Sequence, residues 1–152
     1  MPSKKPINYN GSLIEQFGMK SYKPKAKEKY MSKKQLNHFK QLLFAWKEQL
    51  ENEAEETVKH LKSESNNLAD PNDRATQESE FGLELRTRDR ERKLLRKIQV
   101  SLLKIDEGTY GYCEETGEEI GLKRLEARPV ATYTLEAQER REITEKQFKD
   151  TR

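Results

Sequence analysis

The sequence predicts a mainly α protein: a long antiparallel coiled-coil hairpin on a small base domain, completed by a finger-like knot and a C-terminal helix. Three observations predict it. Charged residues make up 38% of the 152-residue chain and hydrophobic ones only 32%, which suits long helices that each bury a single stripe better than one compact globule. Two such runs flank the stretch NLADPNDRAT, residues 67–76. The break between them is a few residues long, and short connections force neighbouring helices to run antiparallel.

Residues 1–31 are punctuated by Lys, Pro and Gly. Ser12 and Glu15 have the spacing of a capping box, Leu13, Ile14 and Phe17 supply an apolar face, and Gly18 closes the turn, so one short helix is expected here. The following YKPKAKEKYM reads as a linker, and the Lys excess of this region as a solubilising tail.

The hairpin is expected over 32–107, with its tip near 66–76. Ser32 and Gln35 form a capping box. Apolar or small residues then recur at 36, 39, 43, 46, 50, 54, 58, 61, 65 and 68, a coiled-coil stripe with a stutter between Leu50 and Val58. A helix of that length spans roughly 55 Å and needs a partner helix along it. The partner opens at Asp70-Pro71-Asn72-Asp73, which reads as N-cap, N1, N2 and N3. Its stripe is Phe81, Leu85, Arg88, Arg92, Leu95, Ile98, Leu102 and Ile105, with Gly82 as a weak point. Folding back about the break sets Leu50 against Leu94 or Leu95, Trp46 against Ile98, and Val58 against Leu85. Phe39, Leu42, Leu43, Phe44 and Trp46 place the richest core at the base. An intermolecular coiled coil is the rival, but a continuous helix would not carry Pro71 at its middle.

Residues 108–134 are turn-rich and predict a knot or small hairpins, packed through Tyr110, Tyr112, Ile120, Leu122, Leu125, Val130, Tyr133 and Leu135. Residues 135–152 form the final helix and tail, with Leu135, Ile143 and Phe148 expected to pack on the base.

Several function classes are disfavoured. The single cysteine, Cys113, excludes an internal disulfide and fits a reducing compartment. The N-terminus has no apolar segment of the secretory type, and no stretch approaches the roughly 20 apolar residues of a membrane span. A soluble, cytoplasmic protein is expected. There is no Gly-rich phosphate loop, and carboxylates on thin helices have no concavity in which to shift their pKa values. No enzyme is expected. One Cys with no His after it falls short of the four ligands of a structural zinc site. The net charge of +3 arises from signs mixed almost everywhere, unlike the basic face of a nucleic-acid binder.

Two features invite function. ELRTRDRERKLLRK, residues 84–97, is dense in Arg. Ion pairs such as Glu84–Arg88 would make it a solvated face, but Arg90, Lys93 and Lys97, with Lys123, Arg124 and Arg128 from the knot, also suit an anionic ligand or an acidic partner. Asp70 and Asp73 cap a helix, and they do so at the far end of a seam, where carboxylates suit insertion into a cleft.

LADPNDRATQESEFGLELRTRDRERKLLRKI, GTYGYCEETGEEIGLKRLEARP and EAQERREITEK carry a resemblance to the DksA/TraR-type family of RNA polymerase-binding transcription factors. It runs from about Tyr30 to Lys146 and covers most of the chain. It implies a factor that inserts its hairpin into the secondary channel of bacterial RNA polymerase, at the β′ rim, and alters open-complex stability. Such a factor acts with the alarmone ppGpp in the stringent response, repressing ribosomal RNA promoters and activating some biosynthetic ones. No sequence-specific DNA contact and no membrane are implied, and a monomer is expected. Asp70 and Asp73 match the family's essential tip acids and Ala75 a neighbouring tip residue. Arg90, Leu94, Lys97, Arg128 and Gln138 match positions toward ppGpp and polymerase, Gln138 standing where the family often has Lys. The four zinc-ligand positions match Cys113, Thr116, Thr134 and Ala137, so one thiol of four remains and no zinc is expected. The alternatives are a secondary-channel elongation or transcript-cleavage factor and a structural coiled-coil adaptor.

Overall fold

The computed structural model describes residues 13–64 and 71–151, apart from the side chains of Leu61, Glu64, Pro71, Asn72 and Asp73. These residues form helices α1 (Leu13–Gln16), α2 (Lys33–Glu64), α3 (Pro71–Glu107), α4 (Leu122–Ala127) and α5 (Leu135–Asp150). The protein is mainly α. The hairpins expected in 108–134 reduce, among the described residues, to one isolated antiparallel bridge, Tyr112 to Glu119, followed by α4. No described helix is long and apolar enough to cross a membrane. The chain divides into two compact units, one drawn from Met1–Leu43 and Ser101–Arg152, the other Phe44–Val100.

The second unit is the two-helix hairpin. His60 Nδ1 lies 3.2 Å from Glu84 Oε1, and Glu53 is near enough to Glu91 to help raise its pKa, after burial, which is the larger cause. Both pairs are centred on the same break between α2 and α3, so the helices run antiparallel in the register the stripes predict. Glu84 therefore faces across the hairpin to His60 instead of along α3 to Arg88. Leu50 and Ile98 are buried, while Trp46, Val58, Phe81, Leu94 and Leu95 are partly covered. Leu85, expected to meet Val58, is half exposed, as is Phe44, and Arg92 is exposed. With a single partner helix, a residue at the margin of the stripe is covered on one side only. Helix α3 begins at Pro71, the residue placed at N1, and continues through Gly82. The expected cap residue Asp70 lies outside the described residues.

In the first unit, Phe39, Leu42 and Leu43 of α2 are completely buried together with Leu125 of α4. Ile14 joins this core from α1, which packs on α4. The short helix ends as its Gly predicts: Gly18 N–H donates to the Glu15 carbonyl and Met19 N–H to that of Ile14. The same pattern closes α3, where Gly108 N–H reaches Ile105 O and Thr109 N–H reaches Lys104 O. Gly108 takes φ +78° there, a conformation that strains residues with a Cβ. Ser32 Oγ accepts from Gln35 N–H at 3.4 Å, while Gln35 Oε1 reaches one residue further back than a capping box requires, to Met31 N–H at 2.8 Å.

Helix α5 departs from expectation. Leu135, Ile143 and Phe148 are 53%, 57% and 63% exposed. The eight-residue step from Leu135 to Ile143 turns about 80° around the helix, but the five-residue step to Phe148 turns about 140°, so the three do not line one stripe. The helix is anchored at its start, where Thr134 Oγ1 accepts from Ala137 N–H at 3.2 Å and Ala137 is buried.

Candidate functional site

The knot that follows α3 closes on hydrogen bonds and aromatic rings. Cys113 N–H donates to Glu118 O at 2.8 Å, Ile120 N–H to Gly111 O at 2.9 Å, and Glu114 N–H to Thr132 O at 2.9 Å. Tyr110 donates its hydroxyl to Pro129 O at 2.7 Å and stacks obliquely on Phe39, ring centroids 5.7 Å apart. Burial pushes the Tyr110 hydroxyl pKa far up, so it remains a donor. Of the apolar residues expected to hold this region, Tyr110, Ile120, Leu125 and Val130 are buried, whereas Tyr112 and Leu135 are exposed. Tyr112 instead meets Tyr30 edge-on at 5.5 Å.

Cys113 is buried, at shallow depth, among donors. Burial opposes its ionisation, but the Thr116 side chain and the N–H groups of Thr134, Thr116 and Glu115 outweigh it and bring the thiol down to about 7. Thr134 Oγ1 lies 4.0 Å from the sulfur while it caps α5 over Ala137. Cys113, Thr116, Thr134 and Ala137 are thus gathered in one place. They present one thiol, two hydroxyls and a methyl group.

The segment read as a linker is docked. Ser21 Oγ donates to Glu126 Oε2 at 2.7 Å and Tyr22 N–H to Glu126 Oε1 at 2.6 Å. Glu126, on α4, is buried, and His38 Nε2 approaches its Oε1 to 3.3 Å without the alignment of a hydrogen bond. Further on, the Tyr30 hydroxyl donates to Gly111 O at 2.7 Å and accepts from Gly121 N–H at 2.9 Å. One phenol thereby joins the two ends of the loop that contains Cys113. Met31, at φ +55°, packs against Gly111, where an added Cβ would lie 2.9 Å from its Cε. Between these anchors Glu28 accepts from the Tyr22 hydroxyl, from Ser32 Oγ at 2.7 Å and from Lys25 N–H at 3.0 Å. The Tyr22 bond first, then those from Ser32 and Lys25, hold the Glu28 carboxyl down at about 2.

The remaining predicted positions divide between the units. Asp70 lies outside the described residues, as does the Asp73 side chain, although Asp73 itself belongs to the first turn of α3. Ala75 is exposed on that helix. Arg90, Leu94 and Lys97 belong to the second unit at four- and three-residue steps on α3, so they share a face. Arg128 and Gln138 belong to the first unit. Arg128 is the C-cap of α4, and Gln138 Nε2 donates to Glu142 at 3.0 Å. Arg124, considered for an anionic ligand, spends its Nε on Tyr133 O at 3.0 Å.

Residues 35–105 match the family described as DnaK suppressor protein DksA, N-terminal domain, and residues 108–142 the prokaryotic dksA/traR C4-type zinc finger. The RNA polymerase-binding transcription factor DksA of Caulobacter vibrioides is 55% identical over 129 residues, covering 85% of this chain and 91% of the relative. The chain belongs to the DksA family. The Escherichia coli K12 DksA protein, also named an RNA polymerase-binding transcription factor, is 48% identical over 137 residues, or 90% of this chain and 91% of the relative. Among solved structures, transcription factor DksA2 from Pseudomonas aeruginosa superposes with a TM-score of 0.74 at 38% identity, covering 82% of this chain and 94% of that one.

The DksA-family finger is described as four-cysteine, and that description implies zinc. The donors gathered here do not fit a structural zinc ion, which takes four Cys or His ligands. Only Cys113 has a soft donor, the chain holds no other cysteine, and no metal-binding cluster occurs among the described residues. The residues that sequence reading missed are Tyr22, Glu28, Tyr30 and Glu126. The only local signal was two tyrosines within a Lys-rich run, and nothing nearby named their partners.

Proposed function

We propose that this DksA-family chain binds bacterial RNA polymerase through the secondary channel and β′ rim and modulates open-complex stability together with ppGpp. On this reading it represses ribosomal RNA promoters and activates some biosynthetic ones during the stringent response. The carrying observation is family membership along nearly the whole chain, with relatives named as RNA polymerase-binding transcription factors. The hairpin, antiparallel and in register, supports insertion. Asp70, Asp73 and Ala75 act at its tip near the polymerase active site, and Arg90, Leu94, Lys97, Arg128 and Gln138 act toward ppGpp and the polymerase rim. The protein works in the cytoplasm as a monomer, without catalysis of its own. It also works without zinc, because the aromatic and hydroxyl bonds of the knot take the role of four metal–thiolate bonds.

Open-complex lifetime on a ribosomal RNA promoter, measured with and without ppGpp, tests this. The wild-type chain should shorten the lifetime, more so with ppGpp. Asp73→Asn should lose the effect while retaining polymerase affinity. No change of lifetime with the wild type defeats the assignment, and an unimpaired Asp73→Asn defeats the tip mechanism alone.

A further inference from the structure

Averaged over the chain, charge is nearly balanced, but the docked segment concentrates one sign. Lys20, Lys23, Lys25, Lys27, Lys29, Lys33 and Lys34 are all exposed. Between residues 20 and 34 Glu28 is the one acid, and its carboxylate is bound by Tyr22, Ser32 and the Lys25 N–H. Among the described residues none of these seven lysines enters an ion pair, although Lys34 helps to keep Glu28 ionised. Lys25, Lys27, Lys33 and Lys34 surround a cavity of about 440 Å³ with Glu28 and Ser32. Of the acids of the knot, Glu118, Glu119 and Glu126 line a different groove, together with Tyr22 and Tyr30, and Glu114 pairs with Lys104. The start of α2 adds the partial positive charge of its first N–H groups to the lysine side.

We propose that this ridge is a sequence-independent contact for the phosphate backbone of duplex DNA. Three features suit the ridge to phosphate. Every cation is Lys, a flexible point charge that binds phosphate without demanding one geometry, as a sequence-independent contact requires. Its charge is seven lysines to one carboxylate, Glu28, whose oxygens already accept from Tyr22, Ser32 and the Lys25 N–H, unlike the interleaved charges of the helices, which suit protein surfaces. Its backbone is fixed at Ser21 and Tyr22, at Tyr30 and at Met31 and Ser32, so the lysine array is preorganised and binding orders less chain. Duplex DNA carries about one charge per 1.7 Å of axis and rewards such an array with counterion release. The inference goes beyond the polymerase reading and does not rest on it.

The test is fluorescence anisotropy of a labelled duplex of arbitrary sequence, titrated with the full chain between about 50 and 200 mM salt. Binding should weaken steeply as salt rises and should be indifferent to sequence. Changing Lys25, Lys27, Lys33 and Lys34 together to Gln should lower the log–log salt slope by about three to four, near 0.9 per lost phosphate contact. The matching fourfold Lys→Arg variant should retain binding, which separates charge from folding. Absence of salt-dependent binding by the wild type overturns the proposal, as does an unchanged slope in the Gln variant. A wild type that ignores DNA, with a Gln variant that loses polymerase affinity, also overturns it and makes the ridge a protein contact.

Discussion

Cys113 ionises near neutrality because four donors converge on a sulfur that burial alone would keep protonated. The consequence for stability has a definite sign. An unfolded chain holds its thiol proton up to about pH 9, whereas the folded chain releases it at about 7, so above 7 the unfolded state binds more protons and folding gains as pH rises. This contribution is fully present above pH 9 and disappears as pH falls through 7. We expect urea midpoints of the wild type to climb between these values relative to those of Cys113→Ser. Parallel midpoint curves for the two proteins would show that the donors do not stabilise the thiolate. The reactive form of the residue was not visible in the sequence, because its donors are backbone N–H groups and two threonines that only the closed knot aims at sulfur.

The elements were legible in proportion to how local their causes are. Pro71 at the start of α3 and Gly108 at its end are single residues with fixed conformational demands, and the helix runs between them. The antiparallel register followed from two stripes and a short break. The segment 22–31 was misread because its composition, Lys and Pro with little apolar surface, describes a linker whenever its partners are far away. Its partners Gly111, Gly121 and Glu126 lie 81 to 104 positions along the chain. Helix α5 was misread for the opposite reason, since apolar residues were credited with packing before their spacing was asked to form a face. In the candidate site, resemblance located Cys113, Thr116, Thr134 and Ala137, and geometry shows what replaces the missing thiols. The docked segment makes an element-scale prediction. Tyr30→Phe keeps the ring against Tyr112 but leaves Gly111 O and Gly121 N–H without their shared phenol. Loss of roughly 1–3 kcal/mol is expected, toward the lower figure because the site is only partly buried. Chemical denaturation checks it, and a variant as stable as the wild type would mean that the tyrosine staple does not hold the loop.

At the scale of the whole molecule, the two units differ in what secures them. The hairpin unit, Phe44–Val100, has within itself the buried Leu50 and Ile98 and the His60–Glu84 and Glu53–Glu91 pairings. The other unit depends on its first residues at several points: Ile14 in the core, Ser21 and Tyr22 on Glu126, Tyr30 on Gly111 and Gly121. Removing residues 1–31 would leave Glu126 as a buried carboxylate facing His38 with its other donors gone, and a buried charged acceptor without donors is costly. The deletion should therefore loosen one unit selectively. Hydrogen exchange of the deleted protein against the full chain reads this directly. Amides of residues 110–137 should lose protection by at least about tenfold, equivalent to roughly 1.4 kcal/mol of local opening. Amides of α2 and α3 within 50–60 and 84–98 should keep theirs. Equal loss in both would mean that the hairpin takes its stability from the knot, and that the N-terminal segment secures the molecule as one body.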